Sequence, residues 1–263
     1  MERVTLILLA HQDDEIGIYN ELRKASNRND KVVVIYLTSG SKEMLICPKR
    51  NQESKKILSK FGVSTNSVLF LGTELGVLDG RLVFHLENVF NKVLILCKNW
   101  NVGTLIFHTW EGGHEDHDAV YLIGCAVGVA LGITDNSFHF PFYNGKDRRY
   151  GFRLFKIIDP SSRIFLSKVQ LLDRIFFLLN CFCYLTQWRT MVILFLPLLY
   201  YNLVNKVSVL QGLTPFNIYI RPHSGPLLYE KRGRLSFSEF YAVSINFVNQ
   251  HIVFEKNFIS NRQ

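Results

Sequence analysis

Apolar runs recur along the first half of the chain and alternate with stretches of mixed polarity. The run Val4-Thr5-Leu6-Ile7-Leu8-Leu9, "KVVVIYLTSG" from Lys31 and "TLIFHTW" from Thr104 are apolar and largely β-branched or aliphatic, and each gives way to polar or small residues. Runs apolar on every position, not on alternate ones, predict strands covered on both faces. "SVLFLG" at Ser67 predicts a further short strand, and "VLDGRLVF" at Val77 is a weaker candidate that reads as strand or loop. Between these runs the apolar residues fall at helical spacing: Ile16, Ile18 and Leu22 within 15–25, Ile57, Leu58 and Phe61 within 51–61, and a similar pattern over 86–96. Strands alternating with helices predict an α/β fold, Rossmann-like in outline, with a mostly parallel sheet and helices on both faces.

The second half reads differently. From Ile175 to Asn205 the only charged residue is Arg189, and "MVILFLPLLYYNLV" is apolar apart from Asn202. A membrane span needs about 20 apolar residues, and Pro197 interrupts this run. The segment is expected to form two short apolar helices broken near "TQWRT" and buried against the sheet. The alternative is an element lying at an anionic membrane surface, because Lys168, Arg174 and Lys206 flank it. The expected organisation is a Rossmann-like core over 1–140 and a helical, loop-rich extension over 141–263 that completes the fold and the substrate pocket, with the apolar segment at 175–204. The extension closes on a basic, aromatic stretch, "RPHSGPLLYEKRGRLSFSEFY".

At 263 residues, with 48% hydrophobic and 20% charged residues, the chain is long enough to bury a full core and is not disordered in composition. Its formal net charge of +8 points to an anionic partner without naming one. Five scattered cysteines, an odd number among mostly apolar neighbours, predict buried or inert thiols and argue against a disulfide framework. The acidic cluster directly after the first apolar run does not fit a cleavable signal peptide, so a cytoplasmic location is expected, with peripheral membrane contact through 175–204 as the alternative.

The chemistry gathers at two of the strand ends. "AHQDDE" over residues 10–15 follows the first run, and "EGGHEDHD" over 111–118 follows the Thr104 run. In an open parallel sheet ligands bind at the carboxyl ends of the strands, so both segments are aimed at one edge. Imidazoles and carboxylates together suit a divalent metal, zinc above all, although another divalent transition metal is compatible. Adjacent Asp13 and Asp14 point in different directions, so one can ligate while the other faces a water. His114 and His117 stand three apart, on one face of a helical turn.

These two motifs, with "RNQE" at 50–53, resemble the zinc-dependent de-N-acetylases of the N-acetylglucosaminyl-phosphatidylinositol deacetylase, or LmbE-like, family, whose signatures are AHPDDE and HPDH. The resemblance covers about residues 4–125 and is loose beyond. It implies zinc bound by His11, Asp14 and His117, Asp13 as general base, His114 polarising a carbonyl, and Arg50 beside the substrate. Asp116 is expected to orient a histidine. Gln12 and Glu115 stand where the family commonly has proline, which puts the stiffness of the loop in question. His108, at the end of its strand, reads as a core residue or as one supporting a ligand. The expected reaction is hydrolysis of the acetamide of an N-acetylated amino sugar, releasing acetate and a free amine. A non-catalytic sugar-binding or scaffold protein, and a metal hydrolase of another bond, are the competing readings. Nucleic acid is not an expected partner.

Overall fold

The computed structural model describes residues 2–213 and 218–252. In chain order these residues form β1 (Arg3–Leu9), α1 (Tyr19–Asn27), β2 (Lys31–Tyr36), α2 (Cys47–Ser59), β3 (Val68–Leu69), α3 (Leu71–Glu74), α4 (Leu86–Cys97), β4 (Asn101–His108) and α5 (Glu115–Ala130). There follow β5 (Ser137–Phe140), β6 (Tyr143–Asn144), β7 (Arg153–Leu154), β8 (Ile164–Lys168), α6 (Leu171–Asn180), α7 (Trp188–Val204), β9 (Val207–Gly212), α8 (Leu228–Lys231) and α9 (Phe237–His251).

Seven strands make one sheet in the order β3-β2-β1-β4-β5-β9-β8. The first five are parallel, and β9 and β8 extend the edge antiparallel. The α/β reading of the sequence therefore holds, and the apolar runs became strands for the reason given: Leu6, Ile7, Leu8 and Leu9 are each at most 1% exposed. One layer, with α4, α5 and α9, packs on Leu6, Leu8, Leu105 and Phe107. On the other face α1 and α2 cover Ile7, Leu9, Val34 and Ile106.

Several local expectations change. Of the two readings of the Val77 segment, strand or loop, the loop holds, leading into a 3-10 turn at Leu82–His85. The helix expected from residue 15 begins as a 3-10 turn at Asp14–Ile18, and α2 starts four residues earlier than its apolar spacing suggested, with Pro48 in its first turn, where a missing N–H costs nothing. Cys47, Cys97, Cys125 and Cys181 are buried and Cys183 half-buried, all free thiols.

The order of the strands sets the position of the chemistry. The chain runs outward from β1 to β2 and β3, then returns to place β4 on the other side of β1. A crevice opens above the carboxyl ends of two parallel strands whose connections leave in opposite directions, and here those strands are β1 and β4.

Candidate active site

His11 follows β1, and the segment 109–118 follows β4, so the switch in strand direction brings the two motifs face to face. Asp14 is the hub. Its Oδ2 accepts the backbone N–H of His11 at 2.6 Å and lies 3.1 Å from His108 Nε2, while Oδ1 lies 3.1 Å from His117 Nε2. Burial alone would raise the Asp14 pKa, but His117, His108 and His11 around it hold the carboxyl well below its usual range. Burial pushes His117 well below the ordinary histidine value, with His108 stacked on it at 3.9 Å adding to the shift, so its ring is neutral. His11 goes the other way: desolvation is outweighed by Asp14, Asp116 and Asp79, which raise it well above its ordinary value.

His11, Asp14 and His117 are all buried, with donor atoms within 4.8 Å of one another. Two imidazoles and one carboxylate are a donor set that suits a divalent transition metal and leaves room for a further ligand. His11 Nε2 is engaged by Asp116 Oδ2 at 2.9 Å, which turns Nδ1 toward Asp14, 3.4 Å away. This is how a carboxylate fixes the tautomer and direction of a ligating imidazole. A second close group, His11, Asp79, His114 and Asp116, suits a metal less well. Asp116 is already saturated by the N–H groups of Gly80 and Leu82 together with His11, and Arg234 already supplies a cation, 3.1 Å from Asp79.

Asp13 has φ 140°, outside the range that residues with a Cβ adopt without strain. Its N–H donates to Glu15 Oε2 at 3.0 Å, holding the turn, and its carboxylate accepts no hydrogen bond from the described residues and faces the cavity. Burial, then the neighbouring Asp14, raises the Asp13 pKa well above the usual carboxylate range.

His114 is the N-cap of α5. Its Nδ1 accepts the Asp116 N–H at 3.1 Å, and its Nε2, on the cavity wall, lies 2.6 Å from Arg234 Nη1 and 3.4 Å from Asp79 Oδ1. Burial would raise Asp79, but His114, His11 and Arg234 keep it ionised far below its usual range. The two glycines before His114 serve close approach: a side chain on Gly113 would meet the Tyr143 carbonyl, and Gly112, at φ +68°, lies against Leu227. Asp118 Oδ1 accepts the N–H groups of Glu111 and Gly112 and closes this turn.

The substitutions at the two proline positions are compensated by contacts. Gln12 Nε2 donates to Asn51 Oδ1 at 2.6 Å, and the Gln12 carbonyl accepts from Gln187 Nε2, so the loop is tied to α2 and to the turn before α7. Glu115 accepts from Arg234 Nη1 at 3.1 Å.

These groups line a cavity of about 390 Å³. Its walls include His11, Asp13, Asp14 and His114 at one end and Arg50, from α2, with its buried Nε unpartnered. The second half supplies Phe142, Tyr143, Phe152, Gln187, Arg232 and Arg234. Glu111 anchors that wall by accepting the N–H groups of Phe142 and Tyr143, and burial lifts its pKa to about 7. Every site residue singled out in the sequence thus lies in or directly behind one cavity. Asp79, Arg234 and the role of His108 were missed or only half seen. His108 was signalled by its strand-end position, whereas Asp79 and Arg234 sit in loops with no motif around them.

Residues 6–127 match the family described as PIG-L, GlcNAc-PI de-N-acetylase. No curated protein matches the chain at a significant level. Among solved structures, a deacetylase of teicoplanin biosynthesis in complex with bog superposes with a TM-score of 0.59 at 13% identity, over 80% of this chain and 96% of that one. The zinc inhibited form of teicoplanin deacetylase gives 0.58 at 12% identity, over 80% and 97%. The N,N'-diacetylchitobiose deacetylase from Pyrococcus horikoshii gives 0.55 at 15% identity, over 83% and 89%. At these identities the structures establish a shared fold.

Proposed function

With residues 6–127 a domain of the PIG-L, or LmbE-like, de-N-acetylase family, we propose that the chain is a metal-dependent hydrolase that removes the acetyl group from an N-acetylated amino sugar. The observation that carries the reading is the convergence of His11, Asp14 and His117 with a free Asp13 carboxylate and a cavity-facing His114 at the mouth of β1 and β4. In this reading residues 1–140 carry the reacting side chains and 141–263 complete the pocket.

His11, Asp14 and His117 would hold the metal, with zinc the best match to the donors. When bound, the metal supplies Lewis acidity, which makes water nucleophilic near neutral pH and draws charge onto the acetamide oxygen. Asp13 accepts the proton of the attacking water, and its strained backbone aims the carboxylate away from Asp14. His114, whose Nε2 reaches the cavity wall beside Arg234 Nη1, polarises the carbonyl oxygen as negative charge develops there. Asp116 keeps the His11 ring in register, and Asp79 with Arg234 fixes the His114 ring. Asp13 then returns the proton to the departing nitrogen, so that water and the acetamide become acetate and a primary amine. Arg50 and Arg232 stand on the cavity wall, in no ion pair with a carboxylate among the described residues, and bind the polar or anionic part of the substrate.

The test is incubation of the metal-loaded protein with N-acetyl sugars, free, nucleotide-linked and lipid-linked, with acetate and new primary amine both measured. Equimolar release of the two from at least one sugar is expected. Sugar binding without release of either product would leave a non-catalytic protein.

A further inference from the structure

Thirteen of the 23 exposed large hydrophobic residues among the described residues fall between Leu171 and Val204, a short fraction of the chain. Both helices of this segment carry an apolar stripe on the solvent side. In α6 it runs through Leu171, Ile175 and Leu179, and in α7 through Val192, Leu196, Tyr200 and Leu203. The opposite stripe of α7, Met191, Leu194 and Leu198, is buried in the core. An amphipathic surface helix would present polar residues outward, and a core helix would be covered all round. This one is apolar on both sides and, among the described residues, covered on one side only.

No single helix among the described residues is long and apolar enough to cross a membrane, and the stretches Leu171–Cys183 and Leu185–Val204 meet at 77°. α7 is about 25 Å long at the usual rise and has one face committed to the protein, a geometry that suits lying along a surface. Its charges are one-sided. The only acidic residue of the pair, Asp173, is held by Arg23 at 3.0 Å. Lys168 and Lys206 stand exposed beside one another where α6 begins and α7 ends, linked by the Val169 N–H to the Lys206 carbonyl. At the other end, where the helices join, Lys60 bonds Asn180, and exposed Arg189 lies by Trp188.

We infer that the outer face of α6 and α7 docks on an anionic lipid bilayer, lying flat with its apolar stripes in the acyl boundary and its basic ends against the headgroups. Trp188 and Tyr200, both more than half exposed, are the aromatic types that settle at such an interface. A second copy is the poorer occupant, because a two-fold contact would set the same basic rim against itself. The cavity is continuous with this face, since α7 gives Thr190 and Ile193 to its wall while Val192 and Leu196 point outward.

The test needs no turnover. The full chain is sedimented with sucrose-loaded vesicles of phosphatidylcholine, with and without phosphatidylglycerol, at low and high salt, and its oligomeric state is measured without lipid. The wild type is expected to pellet with the phosphatidylglycerol vesicles and to be released progressively by salt. Leu185→Gln/Trp188→Gln/Leu196→Gln, at exposed positions outside the cavity, is expected to lose at least about tenfold in partitioning with unchanged circular dichroism. Lys168→Gln and Lys206→Gln should each lose up to about fivefold at low salt. A wild type that stays in the supernatant with both vesicles, a triple variant that binds like wild type, or a lipid-free dimer that the triple variant dissolves would each overturn the inference.

Discussion

β1 and α7 are written in nearly the same alphabet, yet one vanishes into the protein and the other is left half in solvent. In β1 the residues from Leu6 to Leu9 are at most 1% exposed, whereas in α7 Leu196 is 69% and Leu198 3% exposed two positions apart. Hydropathy alone did not decide the outcome. A strand at the centre of a sheet receives a layer on each face, while α7 packs against α6 and β7 and, among the described residues, has nothing over its outer stripe. An apolar run reports that a segment avoids water, and topology decides what shields it.

The largest effect that would sharpen the contrast is at the site mounted on the buried strands. Asp13→Asn keeps the shape of the side chain and removes the acceptor for the water's proton, so turnover is expected to fall by about 100-fold to 10,000-fold. Metal content, expected at about one divalent ion per chain, should be retained in this variant and lost in His117→Ala. Elemental analysis beside an acetate-release assay checks both, and near-normal turnover in Asp13→Asn would remove it from the proton-transfer role.

Next comes a pH effect confined to the sheet. His139, on β5, is buried, with Thr109 Oγ1 2.6 Å from its Nδ1, and burial drives its pKa down to about 3 against the partial opposition of Asp159. The unfolded ring titrates near 6.5, so the folded state excludes a proton that the unfolded state binds. Its stability contribution is intact above about pH 6.5 and is lost as pH falls toward 3, by up to roughly 5 kcal/mol. Denaturant melts of wild type and His139→Gln across that window should show a shallower acid slope in the variant. Parallel slopes would place the acid sensitivity elsewhere.

How much of this could be read in the chain follows the same division. β1, β2 and β4 announced themselves because burial on both faces demands an unbroken apolar run, and the strand ends then located His11, Asp13, Asp14, His114 and His117. The short strand β5, "SFHF", and the exposed β8, which alternates in burial, carry too little continuous apolar sequence to stand out. Asp79 and Arg234 reach His114 from loops 35 and 120 residues away along the chain, and only the assembled fold makes them neighbours. For α7 the sequence set core against membrane contact; the structure buries the stripe Met191, Leu194 and Leu198 and leaves Val192, Leu196, Tyr200 and Leu203 exposed.

Within α7, Leu198→Asp places a carboxylate in the core between the sheet side and α6. An unpaired buried charge is expected to cost about 3–5 kcal/mol, enough to unfold a marginal domain. Loss of the cooperative melt is the measurement, and a folded variant would show this stripe to be packed loosely enough to admit water.

The smallest expected effect on stability is the most informative about the comparison. Leu196→Asp lies on the same helix, two residues from Leu198, and changes the same side chain to the same carboxylate. At 69% exposure the new charge stays hydrated and no cavity opens, so the melt should move by no more than about 0.5 kcal/mol. Helix propensity contributes little, since Leu and Asp differ by only about half a kcal/mol in a helix interior. The same variant should weaken binding to phosphatidylglycerol vesicles, because it puts a negative charge into the stripe that meets the acyl boundary. If Leu196→Asp instead unfolds the protein as Leu198→Asp does, the outer stripe is covered in solution by other protein, and the contrast between the two faces of α7 disappears.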